Sequence, residues 1–194
     1  MSIFDDIIKV DRSGKIFVNQ WIEWDHFMIP NNPEWLRKIL RNLLALLGHC
    51  LSCTSLDGCY LLSSNMPDNP LHKNCDCEIK PISFAKVKSN ISAECDIRKF
   101  TEYVFKDVVG SKGKNQIFFD LGFSKKDSYF LQQEFCKQAE EQYLAGNYVL
   151  KQLDPRGQRM AIPITLSGHS FFSGWLLLPE GKIQNTTPFG RWIK

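Results

Sequence analysis

The sequence predicts an α+β protein: a small zinc-stabilised N-terminal module followed by helices packed on a four-stranded antiparallel meander. Five of the seven cysteines lie in one short segment between Cys50 and Cys77. Ser124 and Asp127 begin a helical apolar pattern, and four strand-like runs joined by short turns follow Gly146. Because short turns connect only antiparallel neighbours, helices followed by such runs indicate the α+β class.

The composition is that of a globular chain. With 194 residues, 43% of them hydrophobic, the chain can bury one sizeable core or two small ones. The formal net charge of +3 is too small to identify a nucleic-acid binder by itself. The longest apolar run, residues 43–47, is far shorter than the roughly 18 residues of a membrane-spanning helix. Since the first residues also lack an apolar signal core, we expect no membrane association and a cytoplasmic location.

The first predicted part covers residues 1–82. Aromatic and β-branched residues between positions 15 and 27 predict a strand. A helix is expected next, because Asn32 can cap its beginning and Gly48 can end it. This helix would deliver the first pair of cysteines to the cysteine-rich segment.

Two pairs of side chains in that segment predict a zinc site. Cys50 and Cys53 share an i, i+3 spacing with His72 and Cys75, and this spacing lets one tight turn direct both members of a pair to a common point. Sulfur and nitrogen ligands in this pattern suit tetrahedral Zn²⁺. Cys77 is the alternative to Cys75 as the fourth ligand. Four such ligands leave no open position, so we expect structural rather than catalytic zinc.

Two other uses of the cysteines remain open. A disulfide framework would require an oxidising compartment, to which no signal sequence directs the chain. Burial of unpaired thiols is common in reduced proteins, and we expect it for Cys59, Cys95 and Cys136.

The second predicted part covers residues 92–194, after a boundary region near residues 80–92 that lacks strong periodicity. Apolar residues at helical spacing predict one helix near Phe100 and a longer one that ends at Gly146. Pro163 suggests that its strand lies at a sheet edge or contains a bulge. The four expected strands cover residues 148–153, 160–166, 169–178 and 183–189.

The cysteine-rich segment, CLSC…LDG…NPLHKNCDC, resembles the zinc-binding tail of Mu-type phage head-morphogenesis (minor head) proteins. Members of that family have a C-x-x-C pair, a glycine and an H-x-N-C-x-C ending. The resemblance covers residues 42–82 and does not extend to the helical body of those proteins. It therefore implies zinc binding and a phage or prophage association, but not capsid assembly.

The second part is similar to a domain found at the carboxyl ends of polymorphic bacterial toxins. The residues that carry the similarity are Arg98 to Tyr103, Gly113 with Lys114, Phe118 to Phe123, Leu153 to Gly157, and Gly174 with Trp175. That family is thought to share the α+β shape of barnase-like and RelE-like ribonucleases. The resemblance implies a toxin-like domain that cleaves RNA in the cytoplasm of a bacterial host cell.

RNA cleavage needs an acid or base near the 2′-hydroxyl group and cations near the phosphate. His169 is the only histidine after His72, and we predict that it is the acid or base. Arg156 and Arg159 are predicted to neutralise the phosphate. Because the zinc ligands leave no open position, the reaction is expected to be independent of metal. Further candidates for a phosphate contact are Thr186 and Thr187 near Arg191 and the loop residues Lys112 and Lys114.

A non-catalytic interpretation remains beside this one. A turn histidine can simply hydrogen-bond to the backbone, and arginines in loops are commonly just solvated. The chain would then be an interaction protein, with a phage, host or immunity protein as its partner instead of RNA.

Overall fold

This computed structural model describes residues 8–10, 16–18, 20–25, 51–66, 77–106 and 113–193. The chain is α+β, with helices beside sheets that are mainly antiparallel. No helix in the described ranges is long and apolar enough to cross a membrane. The chain forms two compact units: the first comprises Met1–Asn90, Gln152–Gln158 and Leu178–Gly181, and the second comprises Ile91–Lys151, Arg159–Leu177 and Lys182–Lys194.

The first unit contains two small antiparallel sheets. Strands β1 and β2 form a hairpin, and β3 lies between β4 and β5 in a three-stranded sheet. Its elements are β1 Ile8–Val10, β2 Ile16–Val18, β3 Trp21–Asp25, α1 Leu51–Leu56, β4 Tyr60–Leu62, β5 Glu78–Pro81 and α2 Phe84–Asn90. The strand expected between residues 15 and 27 is thus confirmed as β2 and β3. The helix expected between Asn32 and Gly48 lies outside the described residues.

Strand β3 supplies much of the core of the first unit. Trp21, Ile22 and Trp24 are all buried, which explains the aromatic and β-branched residues that predicted a strand here. The Trp24 backbone is also fixed from outside the ladder, because its N–H donates to Cys59 O at 3.0 Å and its carbonyl accepts from Gly58 N at 2.7 Å. Gly58 can make this turn because its φ of 72° lies in the left-handed region.

The segment near residues 80–92 contains a regular element that its sequence does not announce. Helix α2 forms there, and Val87 is its single buried residue. A helix that buries one side chain has no apolar stripe, so the absence of periodicity did not exclude it.

The second unit contains most of a five-stranded sheet with the order β6-β10-β9-β8-β7, while the end of β7 and the beginning of β8, within Gln152–Gln158, belong to the first unit. Its elements are β6 Ser92–Glu94, a short π-helix at Lys99–Val104, α3 Lys114–Asp120, α4 Ser128–Leu144, β7 Val149–Asp154, β8 Gly157–Leu166, β9 His169–Leu177 and β10 Lys182–Trp192. The predicted meander is confirmed as β7 to β10. Strand β6 adds a fifth strand, which pairs with β10 in parallel.

The turn between β8 and β9 fixes the register of this pair. Ser167 has a φ of 48° and Gly168 a φ of 78°, so both central residues are left-handed, as a two-residue type I′ turn requires. The Ser167 hydroxyl donates to Leu121 O at 2.8 Å, which helps to hold this unfavourable conformation. A two-residue turn pairs Leu166 with His169, in agreement with the 2.8 Å contact between Thr165 Oγ1 and Ser170 Oγ one position further on. A regular ladder continued from there would pair Ala161 with Gly174.

The helix start predicted at Ser124 and Asp127 is confirmed. The Ser124 N–H and hydroxyl both donate to Asp127 Oδ2 at 2.8 Å, and the Ser124 side chain in turn caps the Asp127 N–H. Helix α4 follows directly and buries residues at i, i+4 spacing, namely Leu131, Phe135, Ala139 and Tyr143.

The core of the second unit is a cluster of aromatic rings. Phe171 on β9 is fully buried, and its ring centroid lies 6.1 Å from that of Phe135, 5.1 Å from Phe189 and 5.8 Å from Trp192. Phe171 therefore joins α4 to two strands of the sheet. Such offset and edge-to-face contacts add to the stabilisation from burial alone.

A polar side chain of α4, Gln138, binds backbone groups of β8. The Gln138 amide donates to Thr165 O at 2.8 Å and accepts from Thr165 N at 2.7 Å, as a neighbouring strand would. Strand β8 lies between β9 and β7, so it is not an edge strand as a whole. It is longer than β7, however, and Pro163 lies in the part that extends past β7. The edge predicted at Pro163 is therefore local, and Gln138 covers it.

The contacts at Ser124 predict a pH-dependent contribution to stability. Hydrogen bonds from the side chain and backbone of Ser124 lower the pKa of Asp127 below its ordinary value of 3.8. A lowered pKa in the folded state stabilises the fold above the ordinary value, and this contribution is lost as the pH falls through the folded pKa. Ser124→Ala should therefore lower the thermal midpoint at pH 7, and the difference in midpoint between the variant and the parent should narrow as the pH falls below 3.8. Ser89→Ala, at an exposed position, is the control, and an unchanged difference at low pH would contradict this account.

Candidate functional site

Two of the predicted zinc ligands lie in the described part of the first unit. Cys53 is in α1 and Cys77 immediately precedes β5, and both side chains are buried. Cys50, His72 and Cys75 lie outside the described residues. Among the described residues, no group of three or more metal-binding side chains comes together. Buried sulfur donors nevertheless have the chemistry that zinc favours.

His169 begins β9, and its side chain is exposed. Its ring centroid lies 6.2 Å from that of Trp192, with the two planes at 68°. Trp192 pairs with Phe171 across the two strands, so His169 and Trp192 lie together where β9 begins and β10 ends. Trp192 remains 44% exposed, which leaves part of its ring accessible to another planar group.

Arg156 is held by a carboxylate of its own turn. Its Nε donates to Asp154 Oδ1 at 2.9 Å, and its backbone N–H donates to the same oxygen at 3.1 Å. The hydrogen bond to Asp154 raises the pKa of the Arg156 guanidinium group above its ordinary value. Asp154 is buried, and Arg156 thus provides the cation for that carboxylate. This arrangement supports a role in the turn between β7 and β8.

The structure does not bring Arg159 and His169 together. Arg159 lies near the beginning of β8 and seven positions before Leu166, at its end. A strand advances about 3.3 Å per residue, so the backbones of Arg159 and His169 are about 23 Å apart. Arg156 precedes β8, whereas His169 follows it. Arg159 and His169 therefore do not form one cluster at the backbone level, and Arg156 belongs to the first unit.

A different group of residues does come together on the second unit. Strand β10 is bulged between Asn185 and Thr187, because Asn185 pairs with Trp175 and Thr187 pairs with the next residue on β9, Gly174. Thr186 is the extra residue. Bulges of this kind change the direction of side chains and are common beside active sites.

The bulge places two hydroxyl groups on one face of the sheet. A Cβ atom built on Gly174 would lie 3.1 Å from Thr186 Oγ1 and 3.2 Å from Thr187 Cβ, so both threonines lie on the side to which residue 174 would point. Ser173 and Trp175, the neighbours of Gly174, point to the opposite, buried side. A larger residue than glycine would displace the threonine side chains.

Two arginines flank these hydroxyl groups on the same face. Arg191 pairs with Phe172, two positions from Gly174, and its guanidinium carbon lies 5.3 Å from the centroid of the Phe172 ring. On a regular β8–β9 ladder, Arg159 would be a diagonal neighbour of Gly174, about 7–8 Å away at the backbone. We call Arg159, Gly174, Thr186, Thr187 and Arg191 the threonine face.

A third cation lies at the edge of the bulge. Lys99 Nζ donates to Thr186 O at 3.1 Å, which satisfies a carbonyl group beyond the end of the β6–β10 pairing. Hydroxyl donors with lysine and arginine cations suit a phosphate group.

His169 does not belong to this face. It lies five positions before Gly174, about 17 Å away along β9, and its side chain has the direction of the buried residue Phe171. The sequence offered a partial signal for the threonine face, because Thr186, Thr187 and Arg191 are close along the chain. The contributions of Gly174 and Lys99 depend on strand pairing and on the bulge.

Comparison with protein-family models, with curated proteins and with solved structures found no match to this chain.

Proposed function

We propose that the second unit acts on RNA and that its threonine face binds the phosphodiester backbone. The observation that carries this proposal is the bulge in β10, which presents the hydroxyl groups of Thr186 and Thr187 together on the face of the sheet where Arg191 packs on Phe172. The proposal agrees with the toxin-like domain that the sequence resembles. It moves the phosphate contact from Arg156, which binds Asp154, to Arg191.

The chemistry of the face favours a backbone contact over the reading of individual bases. Threonine hydroxyls donate to phosphate oxygens, and guanidinium groups bind two of these oxygens at once. The Phe172 ring under Arg191 holds that cation over the sheet. Such contacts carry little sequence information, so binding should fall steeply with salt and vary little among RNA sequences.

Cleavage is assigned to the adjoining end of the sheet. Arg191 and Trp192 are consecutive on β10, and the Trp192 ring lies beside His169. An RNA strand that binds Arg191 and continues around the end of the sheet therefore reaches Trp192 and His169. Trp192 can stack on a base there. In the reaction the 2′-oxygen attacks phosphorus as its proton leaves, and the bond to the 5′-oxygen breaks as that oxygen gains a proton. His169 is the proposed acid or base for one of these transfers.

The test uses the intact chain with its zinc retained, in buffer without added divalent cations, and a fluorescent single-stranded RNA. We expect the double variant Thr186→Val/Thr187→Val to weaken binding by about tenfold, because valine keeps the shape but removes both hydroxyl donors. Arg191→Gln should weaken binding by a similar factor and lower the salt dependence. His169→Ala should retain binding but reduce product formation by about 10²- to 10⁴-fold. Thr165→Val, at an exposed position of β8, is the control.

The outcomes distinguish the parts of the proposal. Normal binding without any product would leave an RNA-binding protein and remove the catalytic role of His169. Binding that is unaffected by the variants of the threonine face would place RNA elsewhere. If the chain neither binds nor cleaves RNA, the RNA proposal is wrong, and the interaction with a protein partner replaces it.

One observation favours that second candidate function. Tyr129 and Phe130, at the start of α4, are 65% and 51% exposed, and the Phe130 ring stacks on Phe123 with the centroids 6.1 Å apart. Exposed aromatic residues are enriched at protein interfaces. A phage, host or immunity protein would bind there, and Phe130→Ala would weaken that complex without changing RNA binding.

The first unit supplies the zinc-binding part of the proposal. Cys53 and Cys77 are buried thiols of this unit, and they belong to the predicted ligand set that Cys50, His72 and Cys75 complete. Zinc bound there would join segments that are distant in the sequence and so stabilise the fold of the unit.

A further inference from the structure

Helix α4 presents a stripe of three residues toward β6. Gln132, Cys136 and Glu140 are spaced four residues apart, so they lie on one face of the helix. The first of them, Gln132, donates from Nε2 to Cys95 O at 2.6 Å. The last, Glu140, accepts from Ala93 N at 2.9 Å. These two contacts leave Cys136 between them and opposite the end of β6.

Cys95 directly follows β6, and its carbonyl group accepts from Gln132, one helical turn before Cys136. The Cys95 side chain is 4% exposed, whereas Cys136 is half-buried. Burial raises the pKa of the Cys136 thiol above its ordinary value, and the backbone of Cys95 partly offsets this effect. Both residues are thiols in this structure. The hydrogen bonds of Gln132 and Glu140 hold helix α4 against the backbone of residues 93–95.

We propose that Cys95 and Cys136 form a disulfide bond when the chain meets a low-molecular-weight disulfide such as oxidised glutathione. Cys136, the more exposed thiol, attacks one sulfur of the oxidant, forms a mixed disulfide and releases one thiol. Cys95 then attacks the Cys136 sulfur and releases the second thiol. The two cysteines lose two electrons and two protons, and the oxidant is reduced to two thiols.

The reduced pair should react slowly. Burial, with a further contribution from the neighbouring Cys136, raises the pKa of Cys95 to about 12. Nearly all of Cys95 is therefore protonated near neutral pH, and the thiol is a poor nucleophile. The disulfide is accordingly a slow, stabilising cross-link rather than a rapid sensor.

The cross-link would join helix α4 covalently to the residue that follows β6. Gln132 and Glu140 of α4 already contact this backbone through hydrogen bonds. It would close a loop of about 40 residues and thereby restrict the unfolded chain. It would also fix the backbone that leads from β6 to Lys99, the cation at the bulge of β10.

Tryptic peptides of the intact chain test this proposal directly. Cleavage after Lys88 and Arg98 releases a peptide that contains only Cys95, and cleavage after Lys126 and Lys137 releases one that contains only Cys136. After incubation with oxidised glutathione near pH 8.5, blocking with N-ethylmaleimide and digestion, we expect these two peptides to appear as one species two hydrogens lighter than their sum. A reductant should separate them.

A second measurement links the bond to stability. The oxidised chain should have a thermal midpoint higher by on the order of 5 °C, and Cys136→Ser should abolish both this rise and the joined peptides. Lys137→Arg, at the adjacent exposed position of α4 and still cleaved by trypsin, should keep both. Recovery of Cys95 and Cys136 only as N-ethylmaleimide or glutathione adducts would overturn the proposal, as would Cys95 joined to a different cysteine.

Discussion

Replacing Phe171 by alanine is expected to lower the free energy of unfolding of the second unit by about 3–5 kcal/mol. The Phe171 ring is fully buried and meets rings from α4, from β10 and from α3, where the centroid of Phe118 lies 6.3 Å away. Its removal would leave a cavity bounded by aromatic rings that cannot collapse without moving the helices. A loss of this size is a large fraction of the 5–15 kcal/mol that stabilises a typical domain.

Denaturant unfolding followed by tryptophan fluorescence measures this change. The matched control is Phe130→Ala, because Phe130 is 51% exposed and, among the described aromatic rings, its ring stacks on that of Phe123 alone. The control should cost about 1 kcal/mol or less. Equal losses for the two variants would show that the cluster around Phe171 is not the core of this unit.

The meander could be predicted because its information is local. Ser167 and Gly168 form a two-residue turn whose backbone needs positive φ, and the alternating apolar residues on both sides identify two strands. The capping box at Ser124 likewise depends on residues three positions apart. Each of these features can be recognised without knowledge of the rest of the fold.

Strand β6 could not be predicted, because nothing in its three residues differs from a loop. Ser92 to Glu94 form a strand because Lys182 to Gln184, about 90 positions later, offer a free parallel edge. The side chain of Glu140 completes the pairing from the other side by accepting from Ala93 N. Tertiary context decides such a short strand, and its sequence does not.

The candidate site could be predicted in residue types but not in grouping. His169 and Arg159 both lie near strand ends, and the sequence could not show that these are opposite ends of the β8–β9 hairpin. The threonine face depends on a bulge, which adds one residue to β10 and brings Thr186 to the side of Thr187. Residue spacing alone does not reveal where such an extra residue is accommodated.

The first unit should lose its fold when zinc is removed. We expect the purified chain to contain one zinc ion, and Cys53→Ser to unfold the region of residues 45–80. Cys53 is fully buried, and structural zinc sites in small modules contribute on the order of 10–16 kcal/mol of apparent binding free energy at neutral pH. The strands of this unit are short, since β4 has three residues and β5 has four, so they have little packing to replace the metal.

Metal analysis and hydrogen exchange provide the measurement, and paired variants identify the ligands. Cys136→Ser, in the second unit, should keep one equivalent of zinc and the same protection in β3, β4 and β5. If Cys75 is the fourth ligand, Cys75→Ser should lose zinc while Cys77→Ser retains it, and the reverse result would assign Cys77. Cys77 is also buried, so Cys77→Ser is expected to disturb packing whether or not Cys77 binds zinc. A packing defect alone would increase hydrogen exchange in β5 while the variant still contains one equivalent of zinc. Less than a tenth of an equivalent of zinc in protein made with ample zinc would refute the metal site, and the buried thiols would then belong to the core.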